Sequence, residues 1–314
     1  VKAIPPVMQG RDLIGLAQTG TGKTAAFVLP ILHRLVSMPR GKVRALIVSP
    51  TRELAEQTCE TTNALASFTG LRCISIYGGV GMEYQNRALS QGVEIIVACP
   101  GRLLDHLLKG TVDLSEIEVL VIDEADRMFD MGFLPDIRSI VRCLTRPRQT
   151  LLFSATMPED IRRLVREVLH DPLTIKIGQS APVKSVSHAL YPVQPHLKTK
   201  LLKEILRSTE TQSVIIFTRT KLRAEQLAGQ LSKAGYKVAS LQGDMDQWRR
   251  QAAIDGFRDG SLKILVATDI AARGLDILSI SHVINYDMPD TTDAYIHRIG
   301  RTGRVNNTGE AFTL

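Results

Sequence analysis

Cysteine is scarce in this chain and poorly spaced for metal chemistry: Cys59, Cys73, Cys99 and Cys143 form no C-x-x-C pair. That spacing argues against a zinc site or a disulfide framework, and it fits a reducing, cytoplasmic compartment. No apolar run approaches the roughly 18 residues of a membrane span, so no membrane partner is expected. No signal peptide is visible either. The chain opens at Val1 rather than Met, so a processed or trimmed N-terminus is expected. Aromatic residues are few, at 5%, which leaves little for stacking on flat ligands. His33, His106, His170, His188, His196 and His282 show no ligand-like spacing and read as ordinary residues. What is present is an average globular composition, 44% hydrophobic and 23% charged. The net charge of +7 suits a polyanionic partner. A length of 314 residues is long for one core and comfortable for two domains.

Val119–Ile122 is a short run of apolar, mostly β-branched residues and reads as a buried strand. It delivers the adjacent acids Asp123 and Glu124 to its carboxyl end, where open α/β sheets bind ligands. Upstream, Ala17-Gln18-Thr19-Gly20-Thr21-Gly22-Lys23-Thr24 follows a strand over 13–16 and opens a helix over 24–35. Backbone N–H groups in such a loop, with the helix N-terminus behind them, form an anion nest. Lys23 would reach the β- and γ-phosphates of ATP, and Thr24 and Asp123 would hold Mg²⁺, partly through water. Glu124 would polarise a water at the γ-phosphate. Gly-rich loops also close ordinary strand–helix turns, and Ala17 replaces the first glycine of the generic phosphate-loop pattern. Acidic pairs after strands are often only helix N-caps. The two halves together, in this order, favour the nucleotide site.

The chain repeats itself weakly at long range. Ala45–Val48 with Thr51-Arg52-Glu53 matches Val214–Phe217 with Thr218-Arg219-Thr220. Residues 70–78 match 235–243, and 94–98 match 263–267. Offsets run from 165 (Gly78 to Gly243) to 169 (Gln57 to Gln226), far too long for a solenoid. Strands alternate with helical patterns in both halves, so each is expected to be a parallel α/β sheet. A helix over 159–170 is expected to stop at Asp171-Pro172, followed by a strand, Leu173–Ile177. The expected layout is a first domain over 1–178, a flexible linker over 179–186 and a second domain over 187–314, truncated at its end. The second half has no glycine-lysine-threonine loop and no paired acids at a strand end. It has instead the arginines Arg298, Arg301 and Arg304, which alone would read as a solvated basic turn.

The Asp123-Glu124-Ala125-Asp126 tetrad with the 17–24 loop resembles the DEAD-box family of superfamily 2 ATP-dependent RNA helicases, the bacterial RhlE-like branch in particular. Further stretches match in family order: Pro50-Thr51-Arg52-Glu53-Leu54-Ala55, Gly78-Gly79, Pro100-Gly101-Arg102 and Ser154-Ala155-Thr156. Later come residues 214–220, Gln247 with Arg250, 267–276, and the run from His297 to Arg304. The resemblance covers essentially the whole chain. It implies two tandem RecA-like domains, ATP and Mg²⁺ as cofactors, and RNA as partner. It makes Arg301 and Arg304 arginine fingers, has His297 organise the attacking water, and puts Gly274 and Asp276 at the nucleotide. An arginine finger is worth roughly 10³–10⁵ in rate, so hydrolysis would wait for the two domains to close. Ser154 and Thr156 match the family's coupling motif; their plainer reading is a hydroxyl turn capping the helix after Pro158.

The expected RNA contacts are Pro50, Thr51, Arg52, Gly78, Gly79 and Arg102, then Arg219, Gly243, Gln247, Arg250 and Thr268. Short donors, glycines and arginines at strand ends suit phosphate and sugar oxygens, with little sequence specificity. Taken singly, each is as readily a turn or cap residue. Preference for RNA over DNA comes from the resemblance alone. The implied activity is RNA-stimulated ATP hydrolysis driving local, non-processive unwinding of short duplexes, with the bound strand bent out of duplex geometry. An ATP-gated RNA clamp serving as an assembly platform shares every motif. A small-molecule P-loop kinase lacks a visible acceptor pocket and lid. Three features depart from the family pattern. Its glutamine-bearing adenine motif would lie just before Val1. Cys99 stands where threonine is usual, and Gln242 where histidine is common.

Overall fold

The structure is a computed structural model that describes residues 2–17, 21–177, 186–209, 212–272, 280–303 and 309–314, without the side chains of Gln247, Ile270 and Asp293. Gln18, Thr19, Gly20, Gly274, Asp276 and Arg304 lie outside the described residues. So does the expected linker, except for Val186, which already begins a strand.

The chain divides into two units, Val1–Gln179 and Ser180–Leu314. The first holds strands β1 (Leu13–Ala17), β2 (Ala45–Val48), β3 (Cys73–Ile76), β4 (Ile95–Ala98), β5 (Val119–Ile122), β6 (Gln149–Ser154) and β7 (Leu173–Ile177). Their order is β3-β4-β2-β5-β6-β1-β7, and every pairing is parallel. The second unit holds β8 (Val186–Leu190), β9 (Val214–Phe217), β10 (Val238–Leu241), β11 (Ile264–Ala267), β12 (His282–Asn285) and β13 (Gly309–Thr313). Its order is β10-β11-β9-β12-β13-β8, again all parallel. The expected α/β class with tandem parallel sheets is therefore what forms. The internal repeat maps β2, β3 and β4 onto β9, β10 and β11, in the same spatial order.

Parallel sheets covered by helices on both faces need strands that are apolar throughout. β2, β4 and β5 are buried at every residue, and successive side chains serve opposite cores. Leu46, Val48, Leu120 and Ile122 pack into one cluster, while Ala45, Ile47, Val119 and Val121 pack into the other. Gly15 is required by a close approach of β1 to β6, because a Cβ there would stand 2.4 Å from the Phe153 ring.

Two expected boundaries shift for local reasons. The helix over 159–170 ends at Val168. Buried Asp12 takes the His170 backbone N–H at 2.6 Å and that of Thr150 at 2.7 Å, so the chain leaves the helix before proline could break it. Leu169 is extended and Asp171 adopts φ +41°. The helix expected over 24–35 opens one residue earlier, as Lys23–Leu35, and Ala17 closes β1 rather than entering the loop.

The topology positions the site. β6 lies between β1, which feeds the phosphate loop, and β5, which ends in the acids. The Ser154-Ala155-Thr156 turn at the end of β6 therefore stands between them. In the second unit β8 occupies the place of β1, and no phosphate loop follows it.

Candidate functional site

At the end of β5 the chain turns through Glu124, which has φ +53° and ψ +52°. A non-glycine residue in the left-handed region carries local strain, and such positions cluster at functional sites. Glu124 opens the helix Ala125–Asp130 without any side-chain cap hydrogen bond, which sets aside the N-cap reading of the acidic pair. Its carboxylate instead accepts from Arg127 Nη1 at 2.8 Å, in a nearly buried ion pair. Asp123 is buried, and its Oδ1 accepts the Glu124 N–H at 3.0 Å. Burial pushes the Asp123 carboxyl up to about 6; the Lys23 ammonium pulls it back and Glu124 pushes it further. Lys23 and Asp123 thus face one field although 100 residues separate them in sequence.

Asp126 is the hub. Its carboxylate accepts the N–H of Ala155 (3.1 Å), the N–H of Thr156 (2.8 Å) and the Thr156 hydroxyl (3.0 Å). Its own N–H donates to Ser154 Oγ at 3.2 Å, and that hydroxyl donates to the Thr156 carbonyl at 2.7 Å. The turn after β6 is wrapped around the last acid of the tetrad. It does not cap the following helix, Glu159–Val168, which has no side-chain cap.

Of the phosphate loop, Thr21, Gly22, Lys23 and Thr24 are described. Gly22 has φ +81° with nothing within 4 Å of its would-be Cβ, so glycine is needed there for backbone conformation and not for space. The helix Lys23–Leu35 has no side-chain cap and no acid in its first turn, so its N-terminal N–H groups suit an anion. A buried carboxylate and a first-turn hydroxyl are hard oxygen donors, a set that fits Mg²⁺ beside bound phosphates. Among the described residues, no group of three or more His, Cys, Asp or Glu could hold a metal without such help.

The expected strand-contact residues of the first unit gather at the carboxyl edge of β3-β4-β2. The Arg52 guanidinium lies against Gly79, where a Cβ would come within 2.0 Å of it. Arg52 and Arg102 both approach Gly78, at 3.8 and 3.9 Å from its would-be Cβ. Two guanidiniums beside a glycine pair suit an anion, and Gly79, at φ +87°, adopts a backbone conformation that favours glycine. Pro50 and Thr51 follow β2, and Thr51 Oγ1 accepts the Leu54 N–H at 3.5 Å as cap of the helix Arg52–Leu65.

In the second unit Arg219, Gly243 and Thr268 follow β9, β10 and β11, the equivalent edge. Arg219 pairs with Asp290 at 3.1 Å, an exposed contact worth little. Arg250 Nη2 donates to the Ala271 carbonyl at 2.9 Å, and Thr268 is buried. His297 and Arg301 line a small cleft with Phe217, Asp269, Ala272, Ala294 and Arg298. Arg298 is a structural tie. It forks onto Asp269 with two 2.6 Å bonds, donates to Asn285 and to the Asp287 carbonyl, and stacks over Phe217 at 5.0 Å. The plain reading of this segment as a solvated basic turn does not hold for Arg298.

Residues 1–164 match the family model for the DEAD/DEAH box helicase, and residues 197–306 that for the helicase conserved C-terminal domain. This chain belongs to the DEAD/DEAH box helicase family. RNA helicase CrhR of Synechocystis is 44% identical over all of this chain and 64% of its own length. DEAD-box ATP-dependent RNA helicase CshA of Geobacillus kaustophilus is 43% identical over all of the chain and 67% of its own. The chain thus spans about two-thirds of these curated relatives. Among solved structures, Saccharomyces cerevisiae Dbp5 bound to RNA and ADP BeF3 aligns with a TM-score of 0.86 at 32% identity, covering 99% of this chain and 81% of that one. A DEAD box protein from Methanococcus jannaschii aligns at 0.54 and 33% identity, over 100% of this chain and 85% of that one.

In this DEAD-box chain the structure describes two of the three departures from the family pattern, Cys99 and Gln242. The Cys99 thiol is pushed up to about 12 by burial, so it stays neutral and offers only a weak donor. Gln242 is buried, donating to Glu225 at 3.1 Å and accepting the Asp244 N–H at 2.6 Å, so it ties its loop to a helix. Sequence reasoning missed Arg127 and Asp269. Arg127 carried a signal, because it lies three residues after Glu124, the spacing of helical ion pairs. Asp269 carried none, since its partner Arg298 is 29 residues away.

Proposed function

We propose that the chain hydrolyses ATP in response to RNA and uses the cycle to separate short duplexes locally, without processive travel. The observation that carries this reading is Asp126: one carboxylate joins the acidic strand end, two residues from Glu124, to the Ser154-Ala155-Thr156 turn. The names of the relatives and the RNA-bound state of Dbp5 support it.

The residues divide the work as follows. The first-turn N–H groups and Lys23 bind and orient the β- and γ-phosphates. Asp123 and Thr24 hold Mg²⁺, which supplies charge neutralisation at the phosphates when bound. Glu124, aimed by Arg127, accepts the proton of the attacking water. His297, Arg301 and Arg304 of the second unit complete the charge when the units close, and Gly274 and Asp276 meet the nucleotide. Both glycine-and-arginine edges grip phosphates of a single strand, Pro50, Thr51, Arg52, Gly78, Gly79 and Arg102 on one side and Arg219, Gly243, Gln247 and Thr268 on the other, where Arg250, turned inward onto the Ala271 carbonyl, holds the edge in place. Backbone contacts give little sequence specificity. No described helix is long and apolar enough to cross a membrane.

The test is steady-state ATPase with single-stranded RNA, with single-stranded DNA and with neither, in wild type and Glu124→Gln. Stimulation by RNA, and its absence in Glu124→Gln with ATP and RNA still bound, is expected. Turnover indifferent to RNA rejects the reading.

A further inference from the structure

The chain has one tryptophan, Trp248, in the first turn of the helix Gln247–Arg258, and it is 67% exposed. Among the described residues of the second unit, no other Phe, Tyr or Trp side chain is exposed. Single exposed apolar residues are ordinary, so exposure alone decides nothing. Its setting does. The helix follows β10 and the loop holding Gly243, at the carboxyl edge of β10-β11-β9. Helical side chains lean toward the N-terminus, so a first-turn indole leans out over that edge. Arg250 is turned inward by its bond to the Ala271 carbonyl. Residues two apart on a helix stand about 200° apart, so fixing Arg250 inward turns Trp248 outward.

The third feature concerns charge. The Arg249 guanidinium sits over the indole, 5.2 Å from the ring centroid. A cation on one face leaves the other for a flat, electron-rich partner, with the guanidinium beside it for a phosphate. Lys221 lies close by, its Cε 3.3 Å from the Cβ position of Gly243, but its ammonium is paired with Asp244 at 2.5 Å, so Arg249 is the cation beside the ring. A nucleotide has both the flat ring and the anion, whereas an apolar protein partner would leave Arg249 unused.

We propose that Trp248 is a nucleobase-stacking residue that takes one unpaired base of the strand gripped by this edge. The proposal rests on the RNA reading above and adds a contact that backbone binding does not contain. Stacking tolerates any base identity but needs a base to be present. A base already stacked inside a duplex cannot offer its face, so the contact favours single strands over duplexes.

The experiment uses short fluorescein-labelled oligouridylates, read by anisotropy, with Mg²⁺ and a non-hydrolysable ATP analogue. One oligonucleotide is intact, and the others each carry one abasic ribose at a successive position. In wild type, one abasic position is expected to weaken binding by about 5-fold or more. Trp248→Leu should weaken the intact strand by a similar factor and abolish the penalty at that position, while Trp248→Phe keeps most of both. Because Trp248 is the only tryptophan, its emission should also respond to intact RNA and less to the critical abasic strand. The proposal is overturned if RNA binds by anisotropy while emission and the Trp248→Leu affinity stay unchanged, the result a protein-facing tryptophan would give. If neither anisotropy nor ATP turnover responds to RNA, the helicase reading fails and the stacking role falls with it.

Discussion

Glu124 and Arg127 show how one residue's geometry sets another's chemistry. A carboxylate in the left-handed region could swing among rotamers; the 2.8 Å ion pair holds it in one. Arg127→Gln is expected to lower kcat by about 10-fold or more while ATP affinity changes little. Single-turnover hydrolysis beside nucleotide binding checks this, and an equal loss of affinity would make Arg127 structural. Asp123 makes a different prediction at the same scale. Its folded value of about 6 lies above the ordinary carboxylate value, so the metal-free folded state binds more protons than the unfolded one between about pH 4 and 6. The resulting stability is fully present below about pH 4 and is lost as pH rises through about 6. In chelator-treated protein, Asp123→Asn should remove that loss and be more stable at pH 7 by roughly 1–3 kcal/mol, with the gain vanishing near pH 4. Urea unfolding at the two pH values measures it, and a pH-independent difference contradicts it.

At the scale of elements, the proposed coupling runs through the turn after β6. The end of β6 lies between the ends of β1 and β5, so any change in the Ser154-Ala155-Thr156 turn is felt at Asp126. Asp126→Asn keeps the shape but turns one acceptor oxygen into an NH₂ group facing N–H donors. Expected is a loss of RNA stimulation by about 10-fold or more with ATP binding retained; unchanged stimulation would separate this turn from coupling. The strands themselves were legible in the amino-acid sequence, because Val119–Ile122, Val214–Phe217 and Leu173–Ile177 are short β-branched runs between turn signals. The end of the helix at Val168 was not. It is set by Asp12, more than 150 residues upstream, through a bond that no local pattern announces. Arg298 was ambiguous for the same reason. The motif gives its position, but only the fold shows that Asp269, Asn285 and Phe217 surround it. Residues acting through local spacing could be read early, and those acting through distant partners could not.

At the scale of the molecule, two sheets of one topology have diverged at their carboxyl edges. Both keep glycines and arginines suited to phosphates, whereas only the first keeps Lys23, Asp123 and Glu124. The second contributes His297 and Arg301 on and after the helix Thr292–Ile299. With the roles proposed above, this division makes hydrolysis conditional, since neither unit holds both the proposed attacking-water acid and the proposed finger. The most direct test is the RNA-saturated kcat of Arg301→Ala, measured beside ATP affinity without RNA. The account predicts that turnover falls by roughly 10³-fold or more while that affinity stays within about 3-fold. Turnover close to wild type, or a matching loss of ATP affinity, would contradict it.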